Sequence, residues 1–154
     1  MQADPDVRPA APAPLPTGRR FHMVLPATPS AVRCTVQDAA RHCARAMHGA
    51  AGPGVVELVL AELMNNIVEH ALAGRADGVI ELELTAFPGY AECRLRDDGV
   101  PMPAVRLPGP EAAPGPPETL PEGGFGLPLV RRLARDLAYA RGADGLNCLS
   151  FTVP

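Results

Sequence analysis

Residues 55–72 read VVELVLAELMNNIVEHAL and decide most of what the sequence predicts about the fold. Apolar residues recur there at helical spacing, so one broad helix face is expected to pack into a core. The polar side carries Glu62, Asn66 and His70 four residues apart, which brings them close together on the helix surface. A carboxylate beside an amide suits a metal–phosphate site, because the amide oxygen can bind Mg²⁺ and the carboxylate can accept a proton. A solvated polar face would show the same spacing, so this stretch alone leaves both interpretations open.

The chain on either side of this helix predicts strands and one earlier helix. A short strand is expected at residues 20–25, followed by a helix over residues 31–47 with Ser30 as its N-cap. After the central helix, alternating apolar residues predict a hairpin formed by residues 79–86 and 90–97.

Side chains alternate between the two faces along the second strand of the hairpin, and this alternation places Asp97 at the end of its buried face. A buried carboxylate costs free energy unless it finds hydrogen-bond donors, and the amino group of a purine is one such donor. Gly99 permits close approach of a ligand to the backbone. Asp, Gly and Pro also favour ordinary turns, so the segment from Asp97 to Pro101 could equally be only a turn.

Residues 100–123 are rich in proline and longer than an ordinary connection, which indicates a lid or a disordered loop. Residues 123–127 then read GGFGL and open another helix. Helix N-termini present free N–H groups that bind phosphate, and glycines let the phosphate approach. A dinucleotide-binding fingerprint is excluded, because its spacing is not met and no strand directly precedes the glycines.

Two more strands, residues 137–141 and 146–153, complete the predicted order of strand, two helices, two strands, lid, helix and two strands. This order predicts an α/β (α+β) two-layer sandwich, with a mixed, mainly antiparallel sheet covered on one face by helices. Residues 1–18 are dominated by Ala and Pro and are expected to be a disordered tail, which leaves one domain over residues 19–154.

Composition excludes several classes of function. All 14 basic residues are arginine, so a phosphate-binding P-loop and Schiff-base chemistry lack their lysine. A net charge of −3 argues against nucleic-acid or anionic-membrane binding. No apolar run could span a bilayer and no signal peptide is evident, which predicts a cytoplasmic location. The four cysteines lack C-x-x-C spacing, so zinc binding through them is not expected.

Taken in order, the three motifs resemble those of the GHKL, or Bergerat-fold, ATPases. Residues 62–70 match the N box E-x-x-x-N-x-x-x-H, residues 97–99 match the first glycine box D-x-G, and residues 124–127 match the second glycine box G-x-G-L. Within that superfamily the chain looks most like the small anti-sigma-factor serine kinases. The resemblance covers roughly residues 20–154 and implies the Bergerat ATP-binding fold.

The resemblance implies a role for each matching residue. Asn66 would bind the Mg²⁺ that bridges the phosphates of ATP, and Glu62 would be the general base for a substrate serine. Asp97 would accept a hydrogen bond from the adenine amino group, and Gly99 would line the adenine pocket. The nucleotide-binding set is completed by His70, Gly124, Phe125, Gly126 and Leu127. Pro101 and a proline-rich lid depart from the family pattern, which bears on turnover more than on ATP binding.

The resemblance also implies protein partners, namely a sigma factor and an anti-anti-sigma (STAS-type) protein that is phosphorylated on serine. Members of the family often form homodimers. Two alternatives stay open: a non-catalytic ATP-binding module that sequesters a partner, and a detached histidine-kinase-type catalytic domain. A Ser-His-Asp hydrolase is disfavoured, because neither of the two serines, Ser30 and Ser150, sits in a nucleophile elbow, and a metal hydrolase is disfavoured because no H-E-x-x-H motif is present.

Overall fold

A computed structural model describes residues 17–47, 52–102 and 126–154. The helices are α1 (Pro29–Ala44), α2 (Gly52–Asn66), which continues as a π-helical turn (Ile67–Ala71), and α3 (Gly126–Leu133). The strands are β1 (Arg19–Pro26), β2 (Val79–Ala86), β3 (Ala91–Asp97), β4 (Arg135–Arg141) and β5 (Asn147–Val153). The order of elements is the one that the sequence predicts.

The strands form one sheet in the order β1-β2-β3-β5-β4. Every pairing among these described strands is antiparallel, so the predicted mixed character of the sheet is wrong while its mainly antiparallel character is confirmed. Consecutive strands pair directly except where β5 lies between β3 and β4. This arrangement places the ends of β3 and β5 side by side, with Asp97 opposite Asn147.

The helices cover one face of the sheet. Alternate strand residues such as Leu82, Leu95 and Phe151 point into the core, where they form one cluster with buried residues of α2 such as Leu60 and Met64. The prediction of two layers is therefore confirmed. None of the helices in the described parts of the chain combines the length and the apolar character that crossing a membrane requires.

The first helix begins one residue earlier than Ser30, so the predicted cap is wrong. Thr28 caps α1 instead, because its hydroxyl oxygen accepts a hydrogen bond from Ala31 N at 3.3 Å. Pro29 occupies the first helical position, where its missing N–H has no partner to lose. The predicted tail and lid fall mainly on residues 1–16 and 103–123, which lie outside the described residues.

Candidate functional site

A cavity of about 400 Å³ opens between the end of α2 and the adjoining ends of β3 and β5. Its wall includes Asn66 and His70 from the first motif, Asp97 from the second and Leu127 from the third. Its size lies in the range typical of small-molecule sites. The structure therefore brings together residues from all three motifs that the sequence singles out.

The helix that carries the first motif widens just before it ends. Leu72 N donates to Ile67 O at 2.9 Å, five residues back, which defines the π-helical turn. Such turns recur at functional sites. His70 lies within the wider turn, so its predicted i+8 position on a regular α-helix is only approximate. Its side chain is exposed and still reaches the cavity wall.

The segment after β3 is fastened to this helix end. Val100 N donates to the carbonyl oxygen of Ala71 at 2.9 Å. A Cβ atom at Gly99 would overlap the same carbonyl oxygen, so a side chain at this position would push the two segments apart. Gly99 itself is buried beside Asp97, and the cavity wall is made by the three residues that follow it, Val100 to Met102.

Asp97 is a buried acid whose two oxygens have different surroundings. Its exposed fraction is 7%. Oδ1 accepts hydrogen bonds from Gly99 N at 2.9 Å and from Asn147 Nδ2 at 2.8 Å. Burial nevertheless raises the pKa of this carboxyl above its ordinary value, against the effect of both donors. Among the described residues nothing donates to Oδ2, which leaves that oxygen for a donor on a ligand.

Asn147 holds the acid in place, although it lies outside the three sequence motifs. Its side-chain oxygen accepts from Tyr139 OH at 2.7 Å and from Arg141 Nη1 at 2.6 Å, while its amide nitrogen donates to Asp97. Tyr139 OH in turn accepts from Met102 N at 3.0 Å. The signal was present in the strand pattern, because Asn147 is in phase with inward-facing Leu149 and is only 4% exposed.

The third motif meets the first at the start of α3. A Cβ atom at Gly126 would overlap Glu62 Oε2 and would lie 3.7 Å from Asn66 Nδ2. Glycine at position 126 leaves the Glu62 carboxylate in place beside the start of α3, where a side chain would displace it. Glu62 is half-buried and touches Gly126, but it is not among the residues that line the cavity. Gly124 and Phe125, which are also predicted to bind the nucleotide, lie outside the described residues.

The model of the histidine kinase-like ATPase domain family matches residues 25–153 of the chain. The chain belongs to this ATPase family. The match covers strands β2 to β5 and only the last two residues of β1, and it includes every predicted site residue. No curated protein matches the chain.

The residues of this ATPase domain fit an ATP-binding site of the GHKL type. A half-buried amide on α2, a buried acid at the end of β3 and the glycine-opened N-terminus of α3 surround a common space. The amide oxygen of Asn66 is a hard neutral ligand of the kind that Mg²⁺ accepts beside phosphate oxygens. The start of α3 favours an anion, because it is the positive end of the helix dipole.

Proposed function

We propose that this ATPase domain is an ATP-dependent protein serine/threonine kinase that acts as an anti-sigma factor. In this proposal it holds a sigma factor and phosphorylates an anti-anti-sigma protein of the STAS type on serine. The observation that carries the proposal is the convergence of Asn66, Asp97 and Leu127 on one cavity, with Gly126 against Glu62. Each of these residues suits a different part of ATP or of the transfer reaction.

Adenine recognition would use the free oxygen of Asp97. Oδ1 already accepts from Gly99 N and Asn147 Nδ2, which fixes the carboxyl in the cavity wall, and Oδ2 would accept from the ligand. An exocyclic amino group donates and a guanine carbonyl accepts, so an acceptor at this place selects adenine. The apolar wall formed by Ile67, Leu149 and Val100 suits the faces of a purine.

Phosphate binding would use the meeting point of α2 and α3. Gly126, at the start of α3, has no side chain to keep an anion away, and the N-terminus of this helix is the positive end of its dipole. Asn66 would hold Mg²⁺, which would neutralise charge on the phosphate oxygens when bound. His70 is positioned on the cavity wall to contact the same region.

Transfer of the γ-phosphoryl group would use Glu62. Its carboxylate would accept the proton of the substrate serine hydroxyl while the serine oxygen forms a bond to the γ-phosphorus. The bond between that phosphorus and the β–γ bridging oxygen would break, and ADP would leave. General-base catalysis of this kind contributes roughly 10²–10⁴-fold to rate.

The test is an assay with ATP labelled in the γ-phosphate, Mg²⁺ and a STAS-type protein. We expect label on a serine of the partner with the wild-type chain and a fall of about 10²-fold or more with Glu62→Gln. Glu57→Gln is the matched control, because Glu57 is exposed on the same helix. Both variants should keep the rise in melting temperature that ATP produces. At an ATP concentration of 100 times Kd, binding stabilises the folded state by about 2.7 kcal/mol. Equal transfer by Glu62→Gln and wild type would exclude Glu62 as the base.

One observation favours a second candidate, a non-catalytic module in which ATP stabilises a partner-binding surface. The carboxylate of Glu62 packs against Gly126 instead of lining the cavity. In the same assay this module would bind ATP and the partner but leave no label on the partner.

A further inference from the structure

The face of the sheet that points away from the helices carries a second group of metal-ligating side chains. His22 on β1 lies directly opposite Glu83 on β2, and Glu81 is two residues further along β2. His22 Nε2 lies 2.9 Å from Glu81 Oε1. One ligand atom from each of the three side chains lies within 4.8 Å of the other two.

This ligand set differs in chemistry from the nucleotide site. An imidazole nitrogen with two carboxylate oxygens is a set that Zn²⁺ and similar divalent transition metals bind, whereas Mg²⁺ prefers oxygen ligands alone. Around a tetrahedral ion at about 2.1 Å from each ligand, neighbouring ligand atoms would lie about 3.4 Å apart. His22 Nε2 and Glu81 Oε1 are 2.9 Å apart and the Glu83 ligand atom lies within 4.8 Å of both, so rotation of these side chains would bring the three atoms to this spacing.

The neighbouring arginines leave the required oxygens accessible. Arg96 Nη1 contacts Glu81 Oε2 at 3.3 Å, whereas His22 contacts the other oxygen of the same carboxylate. Arg94 Nη1 contacts Glu83 Oε2 at 3.4 Å. The Arg94–Glu83 pair is exposed and the Arg96–Glu81 pair is partly buried, and at 3.3–3.4 Å neither is a close contact. Arg96 can stay on Oε2 while Oε1 binds the ion, and it then acts as an outer partner that orients the ligand.

The same face provides access for the remaining ligands of the ion. A groove of about 650 Å³ runs along it and is lined by His22 and Glu83 together with Arg20 and Arg94. Three protein ligands leave at least one coordination position for water or for a small anion from this groove.

We propose that His22, Glu81 and Glu83 form a binding site for a divalent transition metal, with Zn²⁺ as the best match. The ion would join the edge strand β1 to β2 on the outer face, separate from the ATP cavity. The two sites are independent because Ile80 and Leu82, which alternate with the glutamates along β2, point into the core instead. The juxtaposition of an imidazole and two carboxylates on adjacent strands is the observation that carries this proposal.

The test is a calorimetric titration of the full chain with Zn²⁺ in the presence of Mg²⁺. We expect one equivalent to bind and the melting temperature to rise, since an ion that binds only the folded state stabilises it. His22→Gln and Glu83→Gln should each weaken Zn²⁺ binding by at least about tenfold. Glu92→Gln is the matched control, because it removes one exposed carboxylate from the next strand of the same face. It should bind Zn²⁺ like the wild type.

A Co²⁺ spectrum separates this site from binding at cysteine. Ligands that are only nitrogen and oxygen give no thiolate-to-cobalt charge-transfer band, which is the spectrum we expect. Such a band, no binding at all, or unchanged affinity in His22→Gln would each overturn the proposal. The ATP-induced thermal shift should be the same in His22→Gln and wild type. That measurement tests the separation of the two sites independently of whether the chain is a kinase.

Discussion

Asn147 Nδ2 donates a hydrogen bond to Asp97 Oδ1 at 2.8 Å, and the two residues lie directly opposite each other on β5 and β3. The amide oxygen of Asn147 is engaged as well, since Tyr139 and Arg141 both donate to it. The orientation of the acid therefore depends on a network that is buried at Asp97 and Asn147 and reaches the surface at Arg141 on β4. Buried networks of this kind fix one geometry when all their groups are satisfied.

Asn147→Leu should destabilise the fold and weaken ATP binding together. The substitution keeps the approximate size of the side chain but removes one donor to Asp97 and the acceptor used by Tyr139 and Arg141. Each buried polar group left without a partner costs roughly 1–3 kcal/mol. Chemical denaturation measures the stability, and calorimetry measures ATP affinity. Ser150→Ala, on the outer face of the same strand, should change neither property.

Asp97→Asn should fold well and lose ATP. The asparagine oxygen can replace Oδ1 as the acceptor for Gly99 N and Asn147 Nδ2. Its amino group then stands where Oδ2 was and meets the adenine amino group donor to donor. Loss of a hydrogen bond to a charged group is worth about 1.5–3 kcal/mol, or at least tenfold in Kd. Asp98→Asn is the control, because that carboxylate pairs with Arg75 on the surface. Equal ATP affinity in Asp97→Asn and wild type would contradict the assigned role.

Comparison of the wild type with Asp97→Asn also gives a prediction about how stability depends on pH. Burial raises the pKa of Asp97 in the folded protein, whereas an unfolded Asp titrates near pKa 3.9. The folded state therefore holds this proton more tightly, and the resulting stabilisation is complete below about pH 4 and lost as pH rises through the raised pKa. The unfolding free energy of wild type relative to Asp97→Asn should fall across that window and then level off. Denaturation series at several pH values measure this difference, and a rise with pH would contradict the shift.

Periodicity predicted the elements because each has one buried face. The alternation in β2 and β3 fixes which residues face the helices, and it correctly placed Asp97 on the inner side. The same logic applied to β5 would have found Asn147, since a polar residue at an inward position needs a partner. The alternation pattern could not show that Asp97 is the partner of Asn147. That pairing depends on the order of the strands, in which β5 and not β4 lies next to β3.

Sequence patterns did not predict features of the backbone that depend on contacts between segments far apart in the sequence. The π-helical turn at Ile67–Ala71 ends where Ala71 O accepts from Val100 N, a contact that helical spacing does not reveal. The contact of Gly126 with Glu62 depends likewise on how α3 packs against α2. The motif order indicated that these residues share a site, but only the packing shows which of them touch.

Gly126→Ala should slow phosphoryl transfer without lowering the stability of the fold. The new methyl group would overlap Glu62 Oε2, which is the end of a flexible side chain, so Glu62 can move aside at little cost to folding. Alanine is also a better helix former than glycine, and at the first residue of α3 the gain is smaller than the roughly 1 kcal/mol of a helix interior. We therefore expect a melting temperature equal to or above that of the wild type. Phosphoryl transfer should fall at least about tenfold, because a displacement of about 1 Å near the reacting groups can cost 10²-fold.

Gly54→Ala is the matched control for this variant. Gly54 lies in the first turn of α2, and a Cβ atom there would meet nothing within 4 Å. It should gain the same helix stabilisation and keep full activity, so any difference between the two alanine variants reports the contact with Glu62. If both variants transferred phosphate at the wild-type rate, the close approach of α3 to α2 would be a packing feature without a part in catalysis. If Gly126→Ala alone unfolded, the Glu62 side chain would be held too rigidly to yield.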